Sequence, residues 1–216
     1  MKTALVTGGT TRLGLAIAER LRLVGWRVLS SSHRADAGAD IVADLSSPAG
    51  AARLYADAIS VLGGNPPDAL VNNAALFVGD DEAVKAVNLV APEKLTVMMA
   101  CRECGRGAVV NILDAAILSA NPAGDRQSNA SPSYAETKLA LLDYTVKSAV
   151  MFADTLRVNA VAPGPVLVPV GVCEKAGGTL VGRPSAEDVA KAVQFLLENE
   201  TTTGAVIPVD GGGRLL

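Results

Sequence analysis

The 216 residues carry 22 Asp and Glu against 19 Lys and Arg, a net charge of −3, and half of them are apolar. That balance offers no basic face to a nucleic-acid backbone or an anionic membrane surface, and it is too apolar for disorder. It suits one close-packed domain spanning residues 1–216 whose partner is a small molecule.

The chain opens on Thr3-Ala-Leu-Val-Thr-Gly, which predicts a first strand over 3–8. No charged and apolar leader fits ahead of it, so the expected location is cytoplasmic. Leu13, Ile17, Leu21 and Val24 recur every three or four residues and predict an amphipathic first helix that Gly25 ends. Further strands are expected near 27–32, 40–45, 68–74, 107–114, 156–161 and 205–209. Helices are expected near 48–62, 82–103, 134–152 and 186–198, the last opened by Ser185-Ala-Glu-Asp as an N-cap with acids in the first turn. Alternating strands and helices predict a single-domain α/β fold, a Rossmann-like doubly wound parallel sheet. Segments 115–133 and 162–184, rich in Pro, Gly and Asn, follow strand carboxyl ends and are expected to wall a substrate cleft. No apolar run approaches the roughly 18 residues that cross a bilayer. Cys101 and Cys104 have no second pair to complete a metal site, and His33 is the sole histidine, so no metal is expected.

Thr7-Gly8-Gly9-Thr10-Thr11-Arg12-Leu13-Gly14 joins the first strand to the first helix, where backbone N–H groups and the helix dipole can meet a pyrophosphate. Its spacing departs from GxGxxG. About 20 residues on, a dinucleotide fold places an acid for NAD or an arginine for NADP. The second strand ends Ser30-Ser31-Ser32-His33-Arg34, with no acid at its tip, and Arg34 can take a 2′-phosphate while the serines add donors. NADP(H) is therefore the expected cofactor, and Asp36 is the residue that would overturn that choice.

With these motifs in order, the sequence resembles the short-chain dehydrogenase/reductase family over essentially its whole length. The turn Thr7 to Gly14 resembles the family's TGxxxGxG, Asp44-Leu45 its adenine-contacting acid, Asn72-Asn73-Ala74 its NNAG, and Asn88 its helix asparagine. Tyr134-Ala-Glu-Thr-Lys138 resembles its YxxxK, Pro163-Gly164 its nicotinamide-flanking PG, and Val209-Asp-Gly-Gly212 its closing motif. The resemblance implies a cofactor site made of Gly8, Thr10, Arg12, Leu13, Gly14, Ser32, His33, Arg34, Asp44, Leu45, Asn73, Ala74, Ala75, Tyr134, Lys138, Pro163, Gly164 and Val166.

Within the family the sequence is most similar to pteridine reductases. Arg12 replaces the middle glycine, His33-Arg34 matches their HR, and Phe77 falls where those enzymes stack the pterin. Asp114 stands where most of the family has a catalytic serine. The likeness implies a substrate site of Phe77, Arg12 and Asp114 and a homo-oligomer, dimer or tetramer, built with the long helices and the Gly211 to Leu216 region. Three features depart from that group: Ala75 replaces a serine, the stretch after Phe77 is short, and so is 165–183.

Tyr134 and Lys138, four residues apart, share a helix face. The expectation is a general acid, Tyr134, whose pKa the ammonium of Lys138 lowers from its usual 10, with Lys138 also holding the nicotinamide ribose. Asp114 can both donate and accept protons, which suits reduction of a C=N bond, and Asn88 is expected to support a water-mediated proton path to Lys138. The leading expectation is an NADPH-dependent reductase of pterin-like rings. A general carbonyl reductase and a cofactor-sensing protein that has lost turnover are the alternatives; the intact Tyr134/Lys138 pair argues against the last.

Overall fold

The computed structural model describes residues 1–103, 105–119, 132–166 and 179–216, with the backbone alone for residue 132. Seven parallel strands form one sheet: β1 (Thr3–Val6), β2 (Arg27–Ser32), β3 (Ile41–Val42), β4 (Ala69–Asn72), β5 (Gly107–Ile112), β6 (Leu156–Pro163) and β7 (Val206–Val209), in the order β3-β2-β1-β4-β5-β6-β7. The chain starts at the centre, winds outward to β3, then crosses back to β4 and winds outward the other way. The reversal between β1 and β4 opens a crevice at the strand carboxyl ends, where such sheets bind ligands.

Strands buried on both faces read as continuous aliphatic runs, and every residue of β5 and β6 is buried. Helices α1 (Arg12–Leu23) and α6 (Ala186–Glu198) cover one face, where Ile17 and Leu21 pack with Val189, Val193 and Leu196. On the other face lie α2 (Gly50–Val61), α4 (Ala91–Ala100) and α5 (Pro132–Met151), with Leu54, Leu95, Met99 and Ala149 packed against Leu70 and Val109. The Ser185 cap forms as expected, its hydroxyl and the Asp188 carboxylate closing a reciprocal box.

Two elements differ from their sequence expectations. Strand β3 covers two residues because Asp44 accepts from the Ser46 N–H at 2.9 Å and turns the chain away. The helix expected over 82–103 is broken into α3 (Asp81–Lys85), a π-helical turn over Ala86–Val90, and α4. Pro92 has no N–H to give the Asn88 carbonyl and its ring would press on it, so the preceding turn widens; the Ala91 N–H reaches back five residues to Ala86.

Among the described residues no helix is long and apolar enough to cross a membrane, and no cluster of His, Cys, Asp or Glu could hold a metal. Cys104 and residues 120–131 and 167–178 of the two expected cleft walls lie outside the described residues.

Candidate active site

The turn after β1 is held together by Thr7. Its buried hydroxyl accepts from the Asn73 N–H at 2.9 Å and the Ala74 N–H at 3.0 Å, while the Asn73 amide donates to the Thr7 carbonyl at 2.9 Å. Asn73 thus braces the turn, and Thr7, given no role of its own above, ties β1 to β4. Gly8 is left-handed (φ 63), and a Cβ on Gly14 would sit 2.1 Å from the Gly8 carbonyl oxygen, so only glycine lets the helix start this close. Helix α1 begins with no side-chain cap and no acid in its first turn, which leaves its positive end to an anion. Arg12 is exposed and left-handed (φ 50), the one non-glycine so placed among the described residues. Thr10 and Leu13 flank it half-buried, Leu13 leaning on the α1/α6 core together with Val166.

At the tip of β2, the half-buried Ser32 accepts the Arg34 N–H at 3.1 Å. The exposed Arg34 grips Asp36 with two bonds, Nε to Oδ1 at 2.9 Å and Nη2 to Oδ2 at 2.7 Å. His33 is exposed, and its charge helps hold the Asp44 carboxyl below the usual range, after the larger effect of the Ser46 hydrogen bonds. Leu45 is buried behind Asp44, and Ala75 is exposed beyond Asn73 and Ala74. A groove of about 460 Å³ is lined by Leu45, Ser46, Asp80, Glu82, Val90 and Lys94, and Tyr134 is no part of its wall.

The residues expected to do chemistry meet beyond the ends of β4 and β5. The Tyr134 hydroxyl donates to Asp114 Oδ2 at 3.0 Å, and the other carboxylate oxygen of Asp114 accepts the Ala116 N–H at 2.9 Å. Asp114 therefore caps the short 3-10 turn Ala115–Leu118 and faces the phenol at once. Phe77 packs edge-on against Tyr134, with ring centroids 4.9 Å apart. Lys138 is 3% exposed; its ammonium donates to the Ile112 carbonyl at 2.7 Å and lies 5.8 Å from the Tyr134 ring centre.

Lys138 does not lower Tyr134 as expected. Burial first, then the charge and hydrogen bond of Asp114, push the phenol well above 10, while burial brings Lys138 down to about 8 against the opposing pull of Asp114. Beside burial, the geometry contributes: the phenol donates to a carboxylate, whereas the ammonium donates to a backbone carbonyl.

Asn88, buried in the π-turn, clasps Leu76 from both sides, accepting its N–H at 2.8 Å and donating to its carbonyl at 2.9 Å, and reaches Thr137 at 3.4 Å. Thr137 donates in turn to the Tyr134 carbonyl at 2.7 Å, and the Asn88–Thr137 link was not legible in the sequence because it joins residues 49 positions apart. Pro163 is buried at the end of β6. Gly164 donates to the Val209 carbonyl at 2.9 Å, and a Cβ there would lie 2.7 Å from the Asp210 Cα, so β7 and the Asp210 turn back the PG corner.

The family model for short chain dehydrogenases matches residues 2–175. A protein of Streptomyces violaceoruber assigned as ketoacyl reductase 2 of the granaticin polyketide synthase is 33% identical, the match covering 99% of this chain and 96% of that one. Among solved structures, FolM alternative dihydrofolate reductase 1 of Brucella canis complexed with NADP superposes with a TM-score of 0.82 at 30% identity, over 99% of this chain and 94% of that one. A blue fluorescent protein from a metagenomic library, in complex with NADPH, does so with a TM-score of 0.83 at 28% identity, over 98% and 97% of the two chains. A seven-stranded parallel sheet, a glycine turn at its switch point and a family match over most of the chain identify it as an oxidoreductase of the short chain dehydrogenase family.

Proposed function

We propose that the chain is an NADPH-dependent reductase of pterin- or dihydropterin-like rings. The observation that carries this reading is the Tyr134–Asp114 hydrogen bond of 3.0 Å beside Phe77, because a carboxyl at this place can supply and take up protons at a ring nitrogen. The FolM structure, a dihydrofolate reductase by its own description, is similar over nearly the whole chain and lends support.

When bound, NADPH supplies the hydride; the rest falls to residues of this chain. The donor set fits such a cofactor: a cradle that a Cβ on Gly14 would fill, an uncapped helix start, and a guanidinium at the β2 tip. Gly8, Thr10, Arg12, Leu13 and Gly14 would hold the pyrophosphate, Ser32, His33 and Arg34 the 2′-phosphate, and Asp44 and Leu45 the adenine. Asn73, Ala74 and Ala75 would line the middle of the cofactor, and Pro163, Gly164 and Val166 its nicotinamide end. Phe77 and Arg12 would bracket the substrate ring. A phenol kept protonated by burial is a proton store across the neutral range, so Tyr134 gives its proton toward the substrate, and a proton taken from solvent water returns to the phenol by way of the Asp114 carboxylate that already accepts its hydrogen bond. Lys138 would hold the ribose, and Asn88 keeps Leu76, and with it Phe77, in place.

A general ketone reductase is the second reading, favoured by the Streptomyces relative. Asp114→Ser separates the two. Pterin reduction should fall at least about 100-fold, the lower range for loss of a proton-transfer group, with NADPH affinity kept; near-normal pterin turnover in that variant would sink the assignment.

A further inference from the structure

Acids pair with the cations at and beside β2: Arg22 lies 3.7 Å from Asp40, and at the strand's tip Arg34 is clasped by Asp36. The last pair is built by the local fold. The Arg34 N–H is pinned to Ser32, a 3-10 turn over Ala35–Ala37 reverses the chain, and Gly38 closes it in the left-handed region (φ 64). That turn brings the Asp36 carboxylate side-on to the guanidinium, where it occupies Nε and one N–H of Nη2. An arginine has five N–H donors in a rigid fork, so Asp36 takes two of them and neutralises the charge that a phosphate would seek.

On the reading that Arg34 receives the 2′-phosphate of NADPH, we propose that Asp36 is a built-in competitor for that phosphate, a residue that acts through Arg34 to set how sharply the chain separates NADPH from NADH. The phosphate must share or displace the carboxylate, whereas NADH leaves the pair untouched. Both side chains are more than 60% exposed, at 62% and 70%, so the pair is weak and yields to the phosphate. Selectivity is thereby tempered rather than abolished, and release of the oxidised, phosphorylated cofactor is eased.

The test is calorimetric binding of NADPH and of NADH to the wild type, Asp36→Asn, Arg34→Ala and the double variant. Asp36→Asn should tighten NADPH by about two- to fivefold, the range that breaking an exposed ion pair supports, and leave NADH within about twofold. The gain should vanish in the Arg34→Ala background, which a merely structural role of Asp36 would not produce. Unchanged or weaker NADPH binding in Asp36→Asn, a gain that persists without Arg34, or a loss confined to NADH, as expected if Asp36 held the ribose hydroxyls, overturns the inference. A wild type that prefers NADH overturns the cofactor reading and this inference with it. A wild type that prefers NADPH without the Asp36 effect overturns this inference alone.

Discussion

Lys138 is almost fully buried, and its ammonium donates to the Ile112 carbonyl. Burial lowers its pKa from 10.5 to about 8 in the folded chain, so between those values the unfolded chain holds a proton that the folded chain has lost. Stability therefore rises with pH across that window, and the cost of burying the charge is fully present below it. Lys138→Met carries no such charge. Urea unfolding at pH 7 and 9 should show the wild type gaining on the order of 1 kcal/mol on Lys138→Met between the two; parallel behaviour would mean that Lys138 is solvated. The pairing of Tyr134 and Lys138 was readable from a four-residue spacing, and Asp114 from its place after β5. The direction of the Tyr134 shift was not, because it depends on the desolvation of the phenol in the folded chain and on a carboxylate 20 residues away, neither of which local pattern records.

Helical period runs unbroken from 82 to 103 in sequence, yet the structure interrupts it at Ala86–Val90. Pro92 supplied the signal, since a proline inside a periodic run removes one backbone bond; its outcome as a π-turn, rather than a kink or a stop, depends on the bonds between Asn88 and Leu76 across the site. The place of the turn between β1 and α1 was legible because glycine spacing is a steric code, whereas the Thr7 hydroxyl bonds that tie it to β4 were not, since they join residues 66 and 67 positions apart. Gly14→Ala should cost about 1–3 kcal/mol, as overpacking does, and abolish NADPH binding, because its Cβ would meet the Gly8 backbone. Gly25→Ala is the control: Gly25 is left-handed (φ 90), which Gly14 is not, and a Cβ there has nothing within 4 Å. It should lose stability through backbone strain alone and keep the cofactor. Equal NADPH affinity in both variants, read by thermal shift with and without cofactor, would contradict a close-approach role for Gly14.

Across the whole molecule, a parallel sheet flanked by helices follows from the alternation of β and α runs, which is why the fold class could be read from the sequence, although alternation alone leaves the strand order open. The ion pair at Arg34 could not, because whether Asp36 turns toward it is decided by a short 3-10 turn. We extend the proposal to one domain over residues 1–216, working in the cytoplasm as a homodimer or homotetramer. Leu139, Val146 and Val150 are exposed on α5 at spacings of seven and four, hence on one face, and Leu215 and Leu216 are exposed at the C-terminus, which supports self-association. Light scattering at micromolar concentration should give two or four chains, and a monomer would remove that part of the proposal.

The most direct test of the central claim is the rate of NADPH oxidation with dihydropterin or dihydrofolate set beside a panel of simple ketones and acyl ketones. The account predicts oxidation driven by the pterin-like compounds and abolished by Tyr134→Phe. Oxidation driven by ketones alone, or undiminished in Tyr134→Phe, would contradict it.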